Sequence, residues 1–271
     1  MSFRRSLGVL LTLVSLTFSA SLYADYTLNM SPGVTTVSHK IYDLHMLIMW
    51  ICTIIGIGVF GVMIWSLVVY RKSKGAVAAS FHESTLVEII WTAIPFLILI
   101  GMAVPATSTL VYMHDTKDAD LSILVTGYRW YWHYDYLHQD VSFFSYLSTP
   151  EDAIKNFAPK QENYLIEVDN PMVIPVGKKV RLLMTAKDVI HSWWVPKLGV
   201  KKDAIPGFVN EIWTKVDEPG IYRGQCTELC GVQHGYMPIV VEAKSEADYQ
   251  AWLAQKKATK TAVTHNMSAM S

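Results

Sequence analysis

The stretch GQCTELCGVQHGYMP, residues 224–238, carries four side chains that bind soft or borderline metals: Cys226, Cys230, His234 and Met237. They follow one another at intervals of four, four and three residues. Two thiols, an imidazole and a thioether form a donor set that selects copper over hard cations. Zinc fits less well, because methionine rarely ligates it and the spacing is not that of a structural zinc knuckle. A mononuclear blue-copper loop needs one cysteine with its histidine and a weak methionine. The second cysteine allows both sulfurs to bridge, and so predicts two coppers. A Cys226–Cys230 disulfide is the competing reading; it would close too small a loop to stabilise much, and it leaves His234 and Met237 without a role.

A second histidine must then come from elsewhere in the chain. His114, His133, His138 and His191 are available in the same region. His191 stands out in DVIHSWWVP, residues 188–196, just past a predicted strand at 180–184. A histidine there is commonly a packed core residue. Beside an unfinished copper loop, a ligand reaching across from another strand is the better reading.

The elements that must position these donors are short β-rich runs between residues 120 and 244, for example 121–126, 164–168, 180–184, 212–216 and 239–242. Asp169-Asn170-Pro171, Val176-Gly177 and Glu218-Pro219-Gly220 mark turns between them. Strands at this spacing, with no helical run among them, predict an antiparallel sandwich or barrel. Ser245-Glu246-Ala247-Asp248 has capping-box form and opens a short terminal helix to about residue 255. Residues 256–271 lack periodicity and read as a disordered tail.

Ahead of this domain the chain is apolar. Residues 1–24 read as a secretory signal, with Arg4 and Arg5 before an apolar run at 7–18 and Ala24 as a candidate cleavage position; the competing reading is a retained membrane anchor, which gives the same orientation. Residues 44–70 and 86–113 are each long enough to cross a bilayer of ~30 Å as a helix. Together they predict a two-helix transmembrane hairpin within residues 25–113. Arg71, Lys72 and Lys74 hold the intervening loop in the cytoplasm, so everything after His114 faces outward. Glu88 has two readings: a functional carboxylate in a membrane helix, or the acid of a Thr85-x-x-Glu88 capping box. Cys52, among apolar neighbours, reads as a packing residue.

The composition supports this partition. Residues 114–250 hold 19 acidic and 14 basic side chains although the whole chain is neutral, so the outer domain is the acidic part. A neutral chain with no basic footprint gives no reason to invoke nucleic acid. Three cysteines are too few for a disulfide framework.

With the hairpin, GYRWYWHYDY at 127–136, DVIHSWWVP, KKDAIPG at 201–207 and the copper loop, the chain resembles subunit II of a bacterial haem–copper cytochrome c oxidase, from the signal through the terminal helix. The resemblance implies an all-β, cupredoxin-like Greek-key barrel outside the membrane, holding a dinuclear copper-A centre. It assigns the ligands to His191, Cys226, Glu228 through its backbone carbonyl, Cys230, His234 and Met237. It further implies that the Glu228 side chain serves a magnesium or manganese site shared with subunit I. Trp130 matches the residue through which electrons arrive, and Glu88 the carboxylate at the mouth of a proton channel of subunit I. Read as one strand, the aromatic run puts Tyr128, Trp130, Trp132, Tyr134 and Tyr136 on one face, with Arg129, Tyr131, His133 and Asp135 on the other. Asp135, Asp188 and Asp203 are the candidate docking acids for a basic cytochrome c. Subunits I and III, cytochrome c and the lipid bilayer are the implied partners, and the bacterial inner membrane, with the copper domain in the periplasm, the implied location. A copper-less structural subunit of a quinol oxidase would lack the ligand set. A nitrous oxide reductase would lack the hairpin, and a membrane-anchored copper carrier leaves GYRWYWHYDY unexplained.

Overall fold

Apolar length and a buried cap fix the first helix. The computed structural model describes residues 29–80 and 82–269; the signal predicted over 1–24 lies outside them. Helix α1 spans Thr36–Val69 and α2 spans Thr85–Met113, both long and apolar enough to cross a membrane. At 1.5 Å per residue α1 is about 51 Å long, well beyond a ~30 Å hydrocarbon core. Its extra turns lie before residue 44, where the sequence predicts the span to begin. They are helical because Thr35 and Ser38 form a capping box, each side chain meeting the other's backbone N–H at 2.9–3.0 Å.

This cap is wedged into the β domain. The Thr35 hydroxyl donates to the Leu198 carbonyl at 2.9 Å, Val34 N–H donates to Lys197 O, and Asp217 N–H donates to Val34 O. Gly199, at φ +66°, lies so close that a Cβ there would sit 2.9 Å from the Ser38 backbone. The far end of α2 is tied as well, since Trp213 Nε1–H donates to Tyr112 O at 3.2 Å and the two rings meet edge-on. Thr35→Ala should cost about 1–2 kcal/mol, read as a lower thermal midpoint of the detergent-solubilised protein with unchanged metal content. An unchanged midpoint would show that the cap does not hold helix to domain.

The capping box predicted at Thr85 and Glu88 is not formed. The helix starts one residue too early for it: Ser84 is the N-cap, and Glu88 N–H already donates to Ser84 O at 3.0 Å. Glu88 is exposed in the first turn, free of a capping duty.

The β domain contains β1 Leu121–Tyr128, β2 Tyr131–Tyr136, β3 Val141–Ser145, β4 Met172–Pro175, β5 Val180–Ala186, β6 His191–Val195, β7 Val200–Pro206, β8 Asn210–Thr214, β9 Gly220–Cys226 and β10 Pro238–Lys244. They form one curled sheet in the order β3-β2-β1-β5-β7-β6-β9-β10-β4, with β8 also on β5. Strict alternation along β2 and β5, and along the first five residues of β1, turns Ile123, Trp132, Tyr134, Tyr136, Leu182 and Met184 inward. The sheet is mixed rather than antiparallel as predicted: β1·β5, β5·β7 and β10·β4 run parallel. Alternation reports which face is buried and is blind to the direction of the neighbouring strand.

Three further expectations change. Residues 164–168 form no strand: 164–165 are turn, with Leu165 at φ +63° and its N–H donating to Thr149 Oγ1, and Val168 makes an isolated bridge to Leu147. The run 127–136 is a hairpin, not one strand: β1 and β2 pair from Tyr128↔Tyr131, and Arg129 and Trp130 make the turn across a cis peptide. Tyr128 therefore stacks on Tyr131 on the outer face, ring centroids 5.0 Å apart. Helix α3 is one short turn, Glu151–Ile154, and α4 runs Glu246–Ala269. Ser245 caps α4 as predicted, its hydroxyl oxygen accepting from Asp248 N–H. The predicted stop at 255 and the disordered tail over 256–271 give way to helix through Ala269. No glycine or proline interrupts those residues.

Strand direction gathers one end of the domain. β5 and β7 run parallel to β1 and end beside it; β6 and β10 begin, and β9 ends, at that same end. His191 opens β6, Cys226 closes β9, Met237 precedes β10, and the Arg129–Trp130 turn follows β1.

Candidate metal centre

Each donor is placed by a strand end or by the loop between β9 and β10. The Cys226 thiol lies 4.0 Å from His191 Nδ1 and 3.4 Å from the Glu228 carbonyl oxygen. The Cys230 thiol lies 3.4 Å from His234 Nδ1 and 3.5 Å from Met237 Sδ. The two sulfurs are 3.9 Å apart and unbonded, which removes the disulfide reading. A metal held at ~2.3 Å by sulfur and ~2.0 Å by nitrogen spans up to ~4.6 Å between two sulfurs and ~4.3 Å between sulfur and nitrogen. The Cys226–His191, Cys226–Cys230, Cys230–His234 and Cys230–Met237 separations fall inside those limits, and the ligand atoms of His191, Cys226 and Cys230 cluster within 4.8 Å of one another. All six donors named from the sequence are brought together, and their soft sulfur and imidazole chemistry suits a copper site.

The centre is largely shielded from water. His191 and Met237 are 0% and 1% exposed, Cys226 and Cys230 5% and 4%, while His234 is half-buried. Burial and the neighbouring Cys226 thiol push the Cys230 thiol up to about 12, so in the metal-free centre this sulfur keeps its proton and metal must displace it. The Glu228 side chain is exposed, while its backbone carbonyl meets the Cys226 thiol.

Several residues outside the ligand set shape it. Trp132, fully buried, donates from Nε1 to the Met237 carbonyl at 3.2 Å and meets the His191 ring edge-on at 5.9 Å. Gly127 backs onto that same ring, where a Cβ would stand 2.7 Å from His191 Cδ2. Trp130 is half-buried in its turn and donates from Nε1 to the Cys230 carbonyl at 3.2 Å. Gly231, at φ +118°, lies under the indole, where a Cβ would come 3.1 Å from Cζ2.

The three candidate docking acids sit in different settings. Asp203 is exposed on β7, and Asp135 is half-buried on the outer face of β2, near His133. Burial lowers the affinity of His133 for its proton, and the Asp135 charge partly restores it. Asp188 is turned inward: its Oδ1 accepts from His191 Nε2 at 2.9 Å and Val189 N–H at 2.7 Å, and its Oδ2 from Arg129 N–H at 2.8 Å. Burial works to raise its carboxyl, but these hydrogen bonds outweigh it and hold the group below the usual carboxylate range. The sequence reading offered Asp188 as a docking acid; the Asp-x-x-His spacing was the signal that it faces His191.

A family model described as "Cytochrome C oxidase subunit II, periplasmic domain" matches residues 121–244, and one described as "Cytochrome C oxidase subunit II, transmembrane domain" matches residues 24–108. The chain is similar to the "Probable cytochrome c oxidase subunit 2" of Rickettsia bellii (strain RML369-C), 41% identical over 252 residues, covering 91% of this chain and 92% of that protein. It is also similar to the cytochrome c oxidase subunit 2 of Cereibacter sphaeroides, 36% identical over 239 residues, covering 83% and 79%. Among solved structures, the periplasmic domain of subunit II of cytochrome oxidase (CoxB) of Bradyrhizobium japonicum covers 53% of this chain and 98% of that one, at 38% identity and a TM-score of 0.48.

Proposed function

Because the chain belongs to the cytochrome c oxidase subunit II family, we propose that His191, Cys226, Glu228 (by its carbonyl), Cys230, His234 and Met237 hold its dinuclear copper-A centre, and that electrons from cytochrome c reach that centre through Trp130. The chain is a membrane-anchored subunit of an oxidoreductase complex, with its β domain outside the membrane. The observation that carries the ligand assignment is the pair of free sulfurs 3.9 Å apart, each flanked by its own second donors.

Copper held by these residues would supply one-electron redox chemistry. The chain's part is to hold the donors still and dry: His191 between Gly127 and Trp132, Met237 by the bond from Trp132 to its carbonyl, Trp130 by the Cys230 carbonyl. Electrons pass on to haem in subunit I, where oxygen is reduced to water and protons are pumped. The exposed Glu228 carboxylate supplies one ligand to a magnesium or manganese ion shared with subunit I. Glu88, exposed at the start of α2, stands at the mouth of a proton channel of subunit I. Asp135 and Asp203, in a domain richer in acids than bases, steer a basic cytochrome c in a salt-dependent way. Subunit III completes the set of partners. Arg71, Lys72 and Lys74 between the helices favour an inner-membrane orientation with the copper domain in the periplasm, and a signal removed after residue 24 is consistent with that export.

Copper analysis of the purified, copper-loaded protein should return two coppers per chain and a seven-line mixed-valence electron paramagnetic resonance spectrum. One copper per chain, or a four-line spectrum, would sink the dinuclear assignment.

A further inference from the structure

Asp188 is the one carboxylate, among the described residues, in hydrogen-bond contact with a buried donor of the metal centre. It meets two other structures at once. Oδ1 takes the Nε2 proton of His191 and the N–H of Val189 in its own loop, while Oδ2 takes the N–H of Arg129, the residue before Trp130. The Arg129 side chain closes the arrangement with its Nε 3.6 Å from Oδ2. His191 Nδ1 faces Cys226, so the proton must sit on Nε2, and a carboxylate there selects that tautomer and fixes the ring plane. The turn held by Oδ2 presents Trp130, whose indole is anchored at its other end on the carbonyl of Cys230.

We propose that Asp188 is a positioning residue that locks the copper ligand His191 and the Trp130 turn into one geometry, so that the ring receiving electrons and the metal centre are set by the same side chain. The proposal rests on the copper assignment above. It assigns Asp188 an inward role in place of the docking role suggested by its motif, in keeping with a side chain only 20% exposed whose oxygens are already engaged.

The two oxygens make the roles separable. In Asp188→Asn, the amide oxygen can still accept from His191 Nε2 and Val189 N–H, but the amide nitrogen confronts the Arg129 N–H as donor against donor. In Asp188→Ala both arms are lost. The experiment uses the assembled, copper-loaded oxidase, with three readouts: the paramagnetic resonance spectrum, the reduction potential of the copper centre, and the single-turnover rate of its reduction by pre-bound cytochrome c; the steady-state KM for cytochrome c at low and high salt is the docking control. Asp188→Ala should change the copper hyperfine pattern, shift the potential upward through loss of the anionic partner of His191, and slow reduction by ~10–100-fold. Asp188→Asn should leave the hyperfine pattern near that of the parent while still slowing reduction, because only the turn is released. A wild-type spectrum and potential in Asp188→Ala, with a change confined to the KM for cytochrome c and its salt dependence, would overturn the proposal in favour of docking. Unchanged behaviour in all three readouts would overturn it outright. A parent protein that lacks two coppers would instead remove the metal assignment, which the Asp188 variants do not test.

Discussion

Cys230→Ser is expected to leave the β domain folded while reducing the centre to at most one copper and abolishing electron flow to the oxidase. Cys230 stands in the middle of the donor chain: its sulfur is 3.9 Å from Cys226, 3.4 Å from His234 and 3.5 Å from Met237. Removing it takes away the sulfur that, among the described residues, lies next to both the Cys226 thiol and the His234–Met237 pair. Serine is nearly isosteric but is a hard, weakly acidic donor, so it does not replace a soft thiolate toward copper. The loss in activity should exceed the ~100-fold that follows from removing an outer-shell partner. Structurally the change is modest. The buried hydroxyl costs about 1–3 kcal/mol if it finds no acceptor, and the core of Trp132, Tyr134, Trp193 and Ile239 is untouched. Calorimetry of the metal-free protein reads that term, while copper analysis and the resonance spectrum read the other. Two coppers and a seven-line spectrum in Cys230→Ser would show that Cys230 is not a bridge.

The part of this centre legible in the sequence is the part that chemistry and short spacing define. Cys226, Cys230, His234 and Met237 lie within twelve residues, and their donor types carry the copper preference wherever the loop sits. His191 is 35 residues away from Cys226 along the chain, yet a strand ending before it made a crossing ligand reasonable. What stayed hidden depends on directions that a pattern does not encode. Parallel and antiparallel neighbours bury the same alternate residues, so the pairing of β1 with β5 left no trace in periodicity. The two-residue turn at Arg129–Trp130 interrupts an aromatic run that alternates without a break, and only the turn brings Arg129 N–H onto Asp188. For the same reason Asp188, sited in a loop of ordinary polar appearance, read as a surface acid. Gly127 likewise gave no signal as a single glycine in a strand; its role is defined by a histidine 64 positions later that needs the space a Cβ would fill.

Trp130→Phe should slow reduction of the copper centre by cytochrome c by ~100-fold or more, the scale of loss that a ~1 Å misplacement of reacting partners produces. The copper content and resonance spectrum should stay as in the parent. The indole is fixed by two features that a phenyl ring does not use equally. Its Nε1–H reaches the Cys230 carbonyl at 3.2 Å, and its six-membered ring rests on Gly231. The hydrogen bond joins the ring to the main chain of Cys230, and phenylalanine has no donor with which to keep it. Phenylalanine also withdraws the ring edge from Gly231, leaving room for water above the loop. Gly231→Ala tests the same contact from below. A Cβ 3.1 Å from Cζ2 must displace the indole by a few tenths of an ångström, and φ +118° is a conformation that alanine rarely adopts. That variant should therefore show a smaller loss in the same rate, together with lower stability of the loop. A Trp130→Phe protein that accepts electrons at the parental rate would remove Trp130 from the path. The Cys230 carbonyl would then be an anchor for the turn and no more, and the hydrogen bond would belong to folding rather than to electron transfer.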